Sequence, residues 1–303
     1  MLLALSMSNT HGMGVTHKKI STAEIELLMA LGSRTSFTSV AADLGITQSA
    51  VSKAIVALEE RYGVELVVRG RSGCVPTKEL QRLRPLLRQA HQALGAVEAE
   101  LAGRGASMSG SIRIAGFRSA ISQLLPPALN GLLSRNPDLD VSIQIVREVG
   151  GGVGEQVVQG NADLGITTGR PPASLRSCVL GFDYYLLIRP EKGRQAAMNR
   201  IILWNENCSS CVPEILSALG YRPKHKVSVQ DDSTVVGMVG QGGGFTVMPR
   251  LAAHPLPAGV KADVLTAYKR TMWLCGNSII WSSMAGRAIR RAISKAAKDV
   301  LDS

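Results

Sequence analysis

The sequence predicts two folded parts joined by a long helix: an α+β N-terminal unit of three helices and a two-stranded wing, then an α/β unit of two subdomains. Three observations predict it. Apolar residues recur at helical spacing through Val40, Ala41 and Leu44, then resume at Ile46, Val51, Ile55 and Leu58. A stripe of Leu83, Leu87, Ala90, Leu94, Val97 and Leu101 continues that spacing over 78–101. From Ser111 onward, short β-rich runs alternate with helical ones, as in sheets with crossover helices.

In order along the chain, residues 1–19 read as a disordered extension. Their MLLALSM start is apolar but short, with no basic residue before it, which does not make a signal peptide. Residues 20–77 form the first unit. Ser21 caps a helix with Ile25, Leu28, Met29 and Leu31 on one face. The stretch 37–63, FTSVAADLGITQSAVSKAIVALEERYG, reads as a short helix, a turn and a longer helix. Gly45 gives the backbone freedom a sharp break needs, and Ala41 is small enough for close helix approach. Thr47 is a natural N-cap for the second of these helices. After it, ELVVRGRSGCVPT places extended residues around a Gly-rich tip bearing Arg69 and Arg71.

This is a helix-turn-helix pattern, whose second helix would enter the major groove of double-stranded DNA by its N-terminal end. Gln48, Ser49, Ser52 and Lys53, with Thr47, lie on the outward face there and suit base edges and phosphates. Arg69 and Arg71 are placed to hold flanking phosphates. An amphipathic helical hairpin with an exposed, charged wing is the competing reading.

Residues 78–104 form the linker and dimerisation helix, because such an apolar stripe wants a partner, most simply the same helix of a second copy. Pro85 is tolerable only near the helix start or at a kink. Residues 111–303 make the α/β unit, with subdomain I over 111–170 and 271–303 and subdomain II over 171–270. Strands are expected at IRIAG, VSIQIVR, DLGITT, VLGFDYYLLIRP, RIILW, VSVQD, GFTVMP and TMWLC. Helices are expected over 119–134, 153–159, 213–219, 233–240 and 285–301. In parallel α/β sheets, ligands sit at the carboxyl ends of strands, against helix N-termini.

The chain carries a formal +11 over 303 residues, from 34 Lys and Arg against 23 Asp and Glu, consistent with a polyanionic partner. The basicity is not concentrated in the presumed DNA-reading end. Up to Arg104 there are twelve basic and nine acidic residues, so most of the excess lies beyond it. Five cations cluster near the C-terminus: Arg287, Arg290, Arg291, Lys295 and Lys298. Nothing reaches the roughly 20 apolar residues that span a bilayer. Five irregularly spaced cysteines suit a reducing cytoplasm, not a disulfide framework.

The strings AADLGITQSAVSKAIVALEERYGVELVVR, LLPPALNGLLSRNPDLDVSIQIVREVGGGVGEQVVQGNADLGITTG and VVGMVGQGGGFTVMP together resemble the LysR-type transcriptional regulators. The resemblance covers nearly everything from Ile20 onward. It departs where Thr77 is followed by Lys78, Glu79 and Leu80, and where Leu133 takes a usually aromatic position. It implies a periplasmic-binding-protein-like effector domain and a homodimer or homotetramer that contacts the transcription machinery. It further implies a small-molecule co-inducer and no resident cofactor or metal. By analogy the effector site would comprise Phe117, Arg118, Ser119, Thr167, Thr168, Asn207, Cys208, Ser209, Asp232 and Thr234.

Hydroxyls of Ser119 and Thr168, helix amides near Ser119, and Arg118 and Arg170 favour an anionic effector. Asp231 and Asp232 argue that it also carries an amine or hydroxyls, unless they only cap the following helix. Cys208 and Cys211, at an expected helix start that would lower a thiol pKa, could instead form a redox switch. A solute-binding or enzymatic α/β protein would need an export signal or a catalytic constellation. The sequence has no nucleotide-binding glycine motif after a strand, no nucleophile elbow and no HExxH. A purely architectural DNA-binding protein would leave the α/β half unexplained.

Overall fold

The computed structural model describes residues 19–33, 36–70, 73–101, 108, 110–191 and 197–302. The extension expected over 1–19 therefore lies outside the described residues except for Lys19, and so do Arg71 and most of the linker after Leu101. The chain divides into two compact units, Met1–Leu87 and Arg88–Ser303.

The first unit contains α1 (Thr22–Ser33), α2 (Phe37–Leu44) and α3 (Gln48–Tyr62). Each starts at a side-chain cap. Ser21 and Glu24 exchange reciprocal bonds, the Ser21 amide reaching Glu24 Oε2 at 2.8 Å and the Glu24 amide reaching Ser21 Oγ at 3.3 Å. Ser36 Oγ accepts from the Ser39 amide and Thr47 Oγ1 from the Ala50 amide, both at 3.2 Å. Such caps contribute about 1 kcal/mol apiece. Gly45, at φ 65°, ends α2 in the left-handed region that favours glycine. Leu28, Leu31, Val40, Val51, Ile55 and Leu58 are buried and form the core. Ile46 departs from expectation: it is 46% exposed, because it lies in the turn between helices and belongs to neither apolar face.

The wing is an antiparallel pair, β1 (Val67–Gly70) and β2 (Gly73–Pro76), with Val67 opposite Pro76. Glu59 fastens it to α3 by accepting from the Leu66 and Val67 amides at 2.8 and 3.3 Å. Then α4 (Lys78–Leu101) runs 24 residues, about 36 Å at 1.5 Å per residue. Pro85 sits inside this helix, beyond the first turn where the sequence reading would tolerate it most easily. Leu80 and Leu87 are buried, whereas Leu94, Val97 and Leu101 are exposed.

The second unit is built on β3 (Gly110–Gly116), α5 (Arg118–Arg135), β4 (Leu139–Ile145), α6 (Gly152–Val158), β5 (Leu164–Thr167) and β6 (Arg176–Pro190). It continues with β7 (Arg200–Trp204), a 3-10 turn (Asn207–Ser209), α7 (Val212–Ala218), β8 (His225–Val229), α8 (Asp232–Gly240) and β9 (Thr246–Pro249). The last elements are α9 (Arg250–Ala253), β10 (Val260–Gly276), α10 (Ser278–Ser282) and α11 (Met284–Leu301).

The main sheet has the order β4-β3-β5-β10-β6-β9. Pairings among β3, β4 and β5 are parallel, as is β7 with β8. The parallel arrangement expected from the sequence does not hold elsewhere: β10 runs antiparallel to both β5 and β6, and β6 antiparallel to β9. The expected strand TMWLC is only the end of the 17-residue β10. Its first two thirds mix exposed residues such as Lys261, Thr266 and Lys269 with half-buried ones such as Asp263, which hid the strand.

The paired β6 and β10 pass through two lobes. One end joins β5 and packs under α5 and α11, through Ile114, Leu124, Ile166, Leu274 and Ile293. The other end joins β9, where Ile188, Ile202, Val235 and Met248 make one core and Val212, Ile215, Phe245 and Val247 another. Among the described residues no helix is long and apolar enough to cross a membrane.

Candidate functional site

In the first unit, the N-terminal end of α3 presents Gln48, Ser49 and Lys53 exposed and Ser52 half-buried. The buried residues Val51, Ile55 and Leu58 recur every three or four positions, so these polar groups fall on the opposite face. Thr47 Oγ1 also lies 3.0 Å from Ser49 Oγ, which ties the cap to the outward face. Arg69 on β1 is exposed, with its guanidinium 5.5 Å from the Phe37 ring centroid. The surface has hydrogen-bonding groups of both signs of polarity and few fixed charges, which suits reading base edges more than gripping phosphate alone.

In the second unit several of the sequence-predicted residues come together where the two lobes meet: Arg118 with Asp232, Thr167, Thr168 and Asn207 through Glu148, and Phe117 and Ser119 at Arg270. Phe117 is the buried N-cap residue of α5 and makes no side-chain cap bond. By contrast Asp231 caps α8 and Ser283 caps α11. The first-turn amides of α5 thus face the junction without a side-chain acceptor at the N-cap. Arg118 crosses the junction: its Nε lies 2.5 Å from Asp232 Oδ1 and its Nη2 donates to the Ala252 carbonyl at 3.2 Å. Asp232 is buried, and burial raises its pKa despite Arg118, which pulls it down. Ser119 is buried, with its Oγ 3.5 Å from Arg270 Nη2.

Two further carboxyls line this region. Glu148, buried beyond the end of β4, accepts from the Thr168 amide at 3.3 Å and from the Thr167 hydroxyl. Its backbone carbonyl accepts from the Asn207 amide at 2.8 Å, so the turn of one lobe is hydrogen-bonded to the loop of the other. Glu206 accepts from Trp204 Nε1 at 3.4 Å. Burial raises the pKa of both, and Asp232 nearby pushes Glu206 further. A side chain at Gly152 would place its Cβ 2.6 Å from Glu148 Oε2, so glycine there leaves room for the carboxyl.

Beneath them, Arg270 is held by Asp183 through Nε at 2.9 Å and Nη2 at 2.8 Å, and its guanidinium lies 4.8 Å from the Phe117 ring centroid. The Leu251 amide donates to the other Asp183 oxygen at 3.1 Å. The Asp183–Arg270 pair joins β6, β10, α9 and the start of α5.

Cys211 stands at the N-cap of α7, as the expected helix start requires, but Cys208 does not follow the sequence expectation. Cys208 lies in the 3-10 turn, not at the start of an α-helix, and is buried. Burial pushes its thiol up to about 12, opposite to the lowering that a helix start would produce. The Cys208 carbonyl accepts from Tyr185 Oη at 2.7 Å, and Cys211 Sγ donates to the same Tyr185 oxygen at 3.2 Å. All five cysteines are free. Of the other candidates, Ser209 Oγ bonds the Glu206 carbonyl at 2.8 Å, a purely local contact. Thr234 and Arg170 are exposed.

Sequence reasoning missed Glu148, Asp183, Tyr185 and Arg270. A signal existed for two of them: Asp183 interrupts the apolar run LGFDYYLLI, and Arg270 stands just before TMWLC. A lone charge inside an apolar strand requires a partner.

The description "Bacterial regulatory helix-turn-helix protein, lysR family" matches residues 22–79, and "LysR substrate binding domain" matches residues 105–278. The chain is 31% identical over 252 residues to a probable HTH-type transcriptional regulator, LrrA, of Synechococcus elongatus, covering 80% of this chain and 85% of that one. Among solved structures it is similar to ArgP of Mycobacterium tuberculosis, with a TM-score of 0.71 at 21% identity over 92% of this chain and 98% of that one. It is also similar to full-length LysG of Corynebacterium glutamicum with bound effector Arg, at TM-score 0.66 and 20% identity over 92% and 99%. The chain belongs to the LysR family of bacterial transcriptional regulators. It is a DNA-binding regulator under small-molecule control, not an enzyme.

Proposed function

We propose that α3 reads the major groove through Gln48, Ser49, Ser52 and Lys53, with Thr47 at its entry and Arg69 and Arg71 on flanking phosphates. The control signal is a small amphoteric carboxylate bound at the lobe junction. The observation that carries this reading is the arrangement around Arg118. Its anion-binding side combines the α5 first-turn amides, Ser119 and the Arg118 guanidinium, while Asp232, Asp231 and Glu206 surround it with acceptors. A carboxylate would compete with Asp232 for Arg118, and an amine or hydroxyl on the same molecule would satisfy the acids. Phe117, Thr167, Thr168, Asn207, Cys208, Ser209 and Thr234 belong to the walls or rim of the same site.

Two copies pair along α4, whose Leu94, Val97 and Leu101 are 36%, 57% and 82% exposed, into a cytoplasmic homodimer or homotetramer. The functional partition is 20–77, 78–104 and 111–303, the last split into 111–170 with 271–303 against 171–270.

The test measures operator affinity with and without a panel of small amino and hydroxy carboxylates. Arg118→Ala and Ser119→Ala should abolish the response to the active compound and leave effector-free DNA affinity within about twofold, as expected for residues that belong to the second unit and not to the helix-turn-helix unit. A response that survives both changes would place the effector elsewhere.

A further inference from the structure

We infer that the second lobe carries a separate small-molecule site, between α7 and the β7–β8 pair, that takes an amphipathic organic anion such as an aryl-alkyl carboxylate. A depression of about 370 Å³ lies there. That volume falls within the roughly 300–1,000 Å³ of small-molecule sites. Its floor is apolar: Val212 and Leu216 of α7 are buried, while Leu203 of β7 and Tyr221 are half-buried. The Tyr221 ring is steadied by Phe245, with centroids 5.7 Å apart.

The rim carries three cations. Arg222, Lys224 and Lys226 line the depression together with His225, and all four are exposed. They fall within five consecutive residues because Gly220, at φ 74°, ends α7 and turns the chain back toward β8. No carboxylate lines the depression among the described residues; the nearest acid on α7, Glu214, is not part of it. Crowded like charges without a counter-charge raise the local potential, and an anion lowers it. The apolar floor adds a requirement that inorganic phosphate or a DNA backbone does not meet, since neither brings apolar surface to bury.

This also accounts for part of the positive charge that the DNA-reading unit does not carry. The site is distinct from the lobe junction but next to it in the chain. Val212 follows Cys211, whose thiol bonds Tyr185 at the junction, so a molecule seated against α7 bears on the element that borders the effector region.

The test uses the full chain and amide chemical shifts read by NMR, with 4-phenylbutanoate as probe and 4-phenylbutan-1-ol and inorganic phosphate as controls. The carboxylate should shift α7 and β8 resonances with a Kd of about 1 mM or tighter for its size. The alcohol and phosphate should bind at least about tenfold more weakly. Lys224→Glu combined with Lys226→Glu should weaken the carboxylate about tenfold or more. Ser217→Phe, which fills the depression without altering charge, should abolish the shifts, and Arg118→Ala should leave them unchanged. No binding, equal binding of the alcohol or phosphate, survival in the charge-reversed or filled variants, or loss in Arg118→Ala would each overturn the proposal. So would charge reversal that weakens operator binding and leaves the carboxylate shifts intact, because the rim would then serve DNA.

Discussion

The two units of this chain treat polar groups in opposite ways. Around α3 the interior is apolar, and Gln48, Ser49 and Lys53 are displayed on the surface with caps satisfied by local hydroxyls. At the lobe junction, Glu148, Asp183, Asp232 and Arg270 are all buried. A surface that reads a fixed polymer needs only to display its donors and acceptors. A site that must respond to a ligand gains from an ionic interior, because a bound charge can alter the balance there. Such interiors are costly to desolvate, so they hold only while each charge keeps its partner.

The largest expected effect follows directly. Asp183→Leu or Arg270→Met alone leaves one charge buried and unpaired and should destabilise the second unit by about 3–5 kcal/mol. The double change should recover most of that loss. Urea unfolding of the three variants checks it; singles costing under about 1 kcal/mol would show that water reaches the pair and that the contrast between units is weaker than the geometry implies.

On the other side of the contrast, Gln48→Ala should leave stability within about 0.5 kcal/mol, as for a surface change. It should still narrow the gap between cognate and scrambled DNA by about 1–3 kcal/mol. Arg69→Ala should weaken both DNAs alike and reduce the salt slope by about one. Competition binding at several salt concentrations separates the two, and a Gln48 change with no effect on discrimination would remove it from the reading face.

Acid titration probes the same difference. Burial raises the carboxyl pKa values of Glu148, Glu206 and Asp232 above their ordinary values of 4.5, 4.5 and 3.8. A carboxyl raised in the fold stabilises it fully below the unfolded-state value and loses that contribution as pH rises through the folded value. The second unit should therefore gain stability as pH falls from neutrality toward the ordinary carboxylate range, through the raised pKa values of these groups. Glu148→Gln should blunt the gain. Glu24, held low chiefly by the Ser21 amide, gives the first unit a contribution of the opposite sign, lost only as pH falls below the usual carboxylate range. Thermal unfolding across that interval in wild type and Glu148→Gln decides it; identical profiles would mean Glu148 is solvated.

How much of this was legible in the sequence tracks the range of the interactions. Caps and turns act over three or four residues, so Thr47, Gly45 and the α3 face could be read from spacing. The five helices expected in the second unit lie within a residue or so of expectation for the same reason, whereas the short α9 and α10 were not foreseen. The β6–β10 pairing joins residues about 90 apart, such as Asp183 with Arg270, and no local periodicity encodes it. Arg118 could be placed at a helix start from sequence, but its partner Asp232 lies 114 residues away. Asp232 was placed on the facing wall by family resemblance, yet the bond between them needed the fold. Glu148 and Glu206 stand in loops, where a carboxylate is ordinarily solvated, yet the fold buries the first and half-buries the second.

Cys208 carries the smallest expected effect, and its neighbour explains why. A three-residue 3-10 turn lacks the aligned peptide dipoles of a longer helix, so burial dominates and keeps the thiol protonated at neutral pH. A thiol without thiolate character reacts slowly with peroxide. Cys211, half-buried and donating to Tyr185, is the more accessible of the two, yet a disulfide would require Cys208 to leave its core against Trp204 and Val235. Peroxide treatment of the native protein followed by thiol mapping should find Cys208 unmodified and operator affinity unchanged. A Cys208–Cys211 disulfide formed under native conditions would instead mean that the second lobe opens readily, and the buried ionic interior contrasted above would then be a transient feature of the cleft.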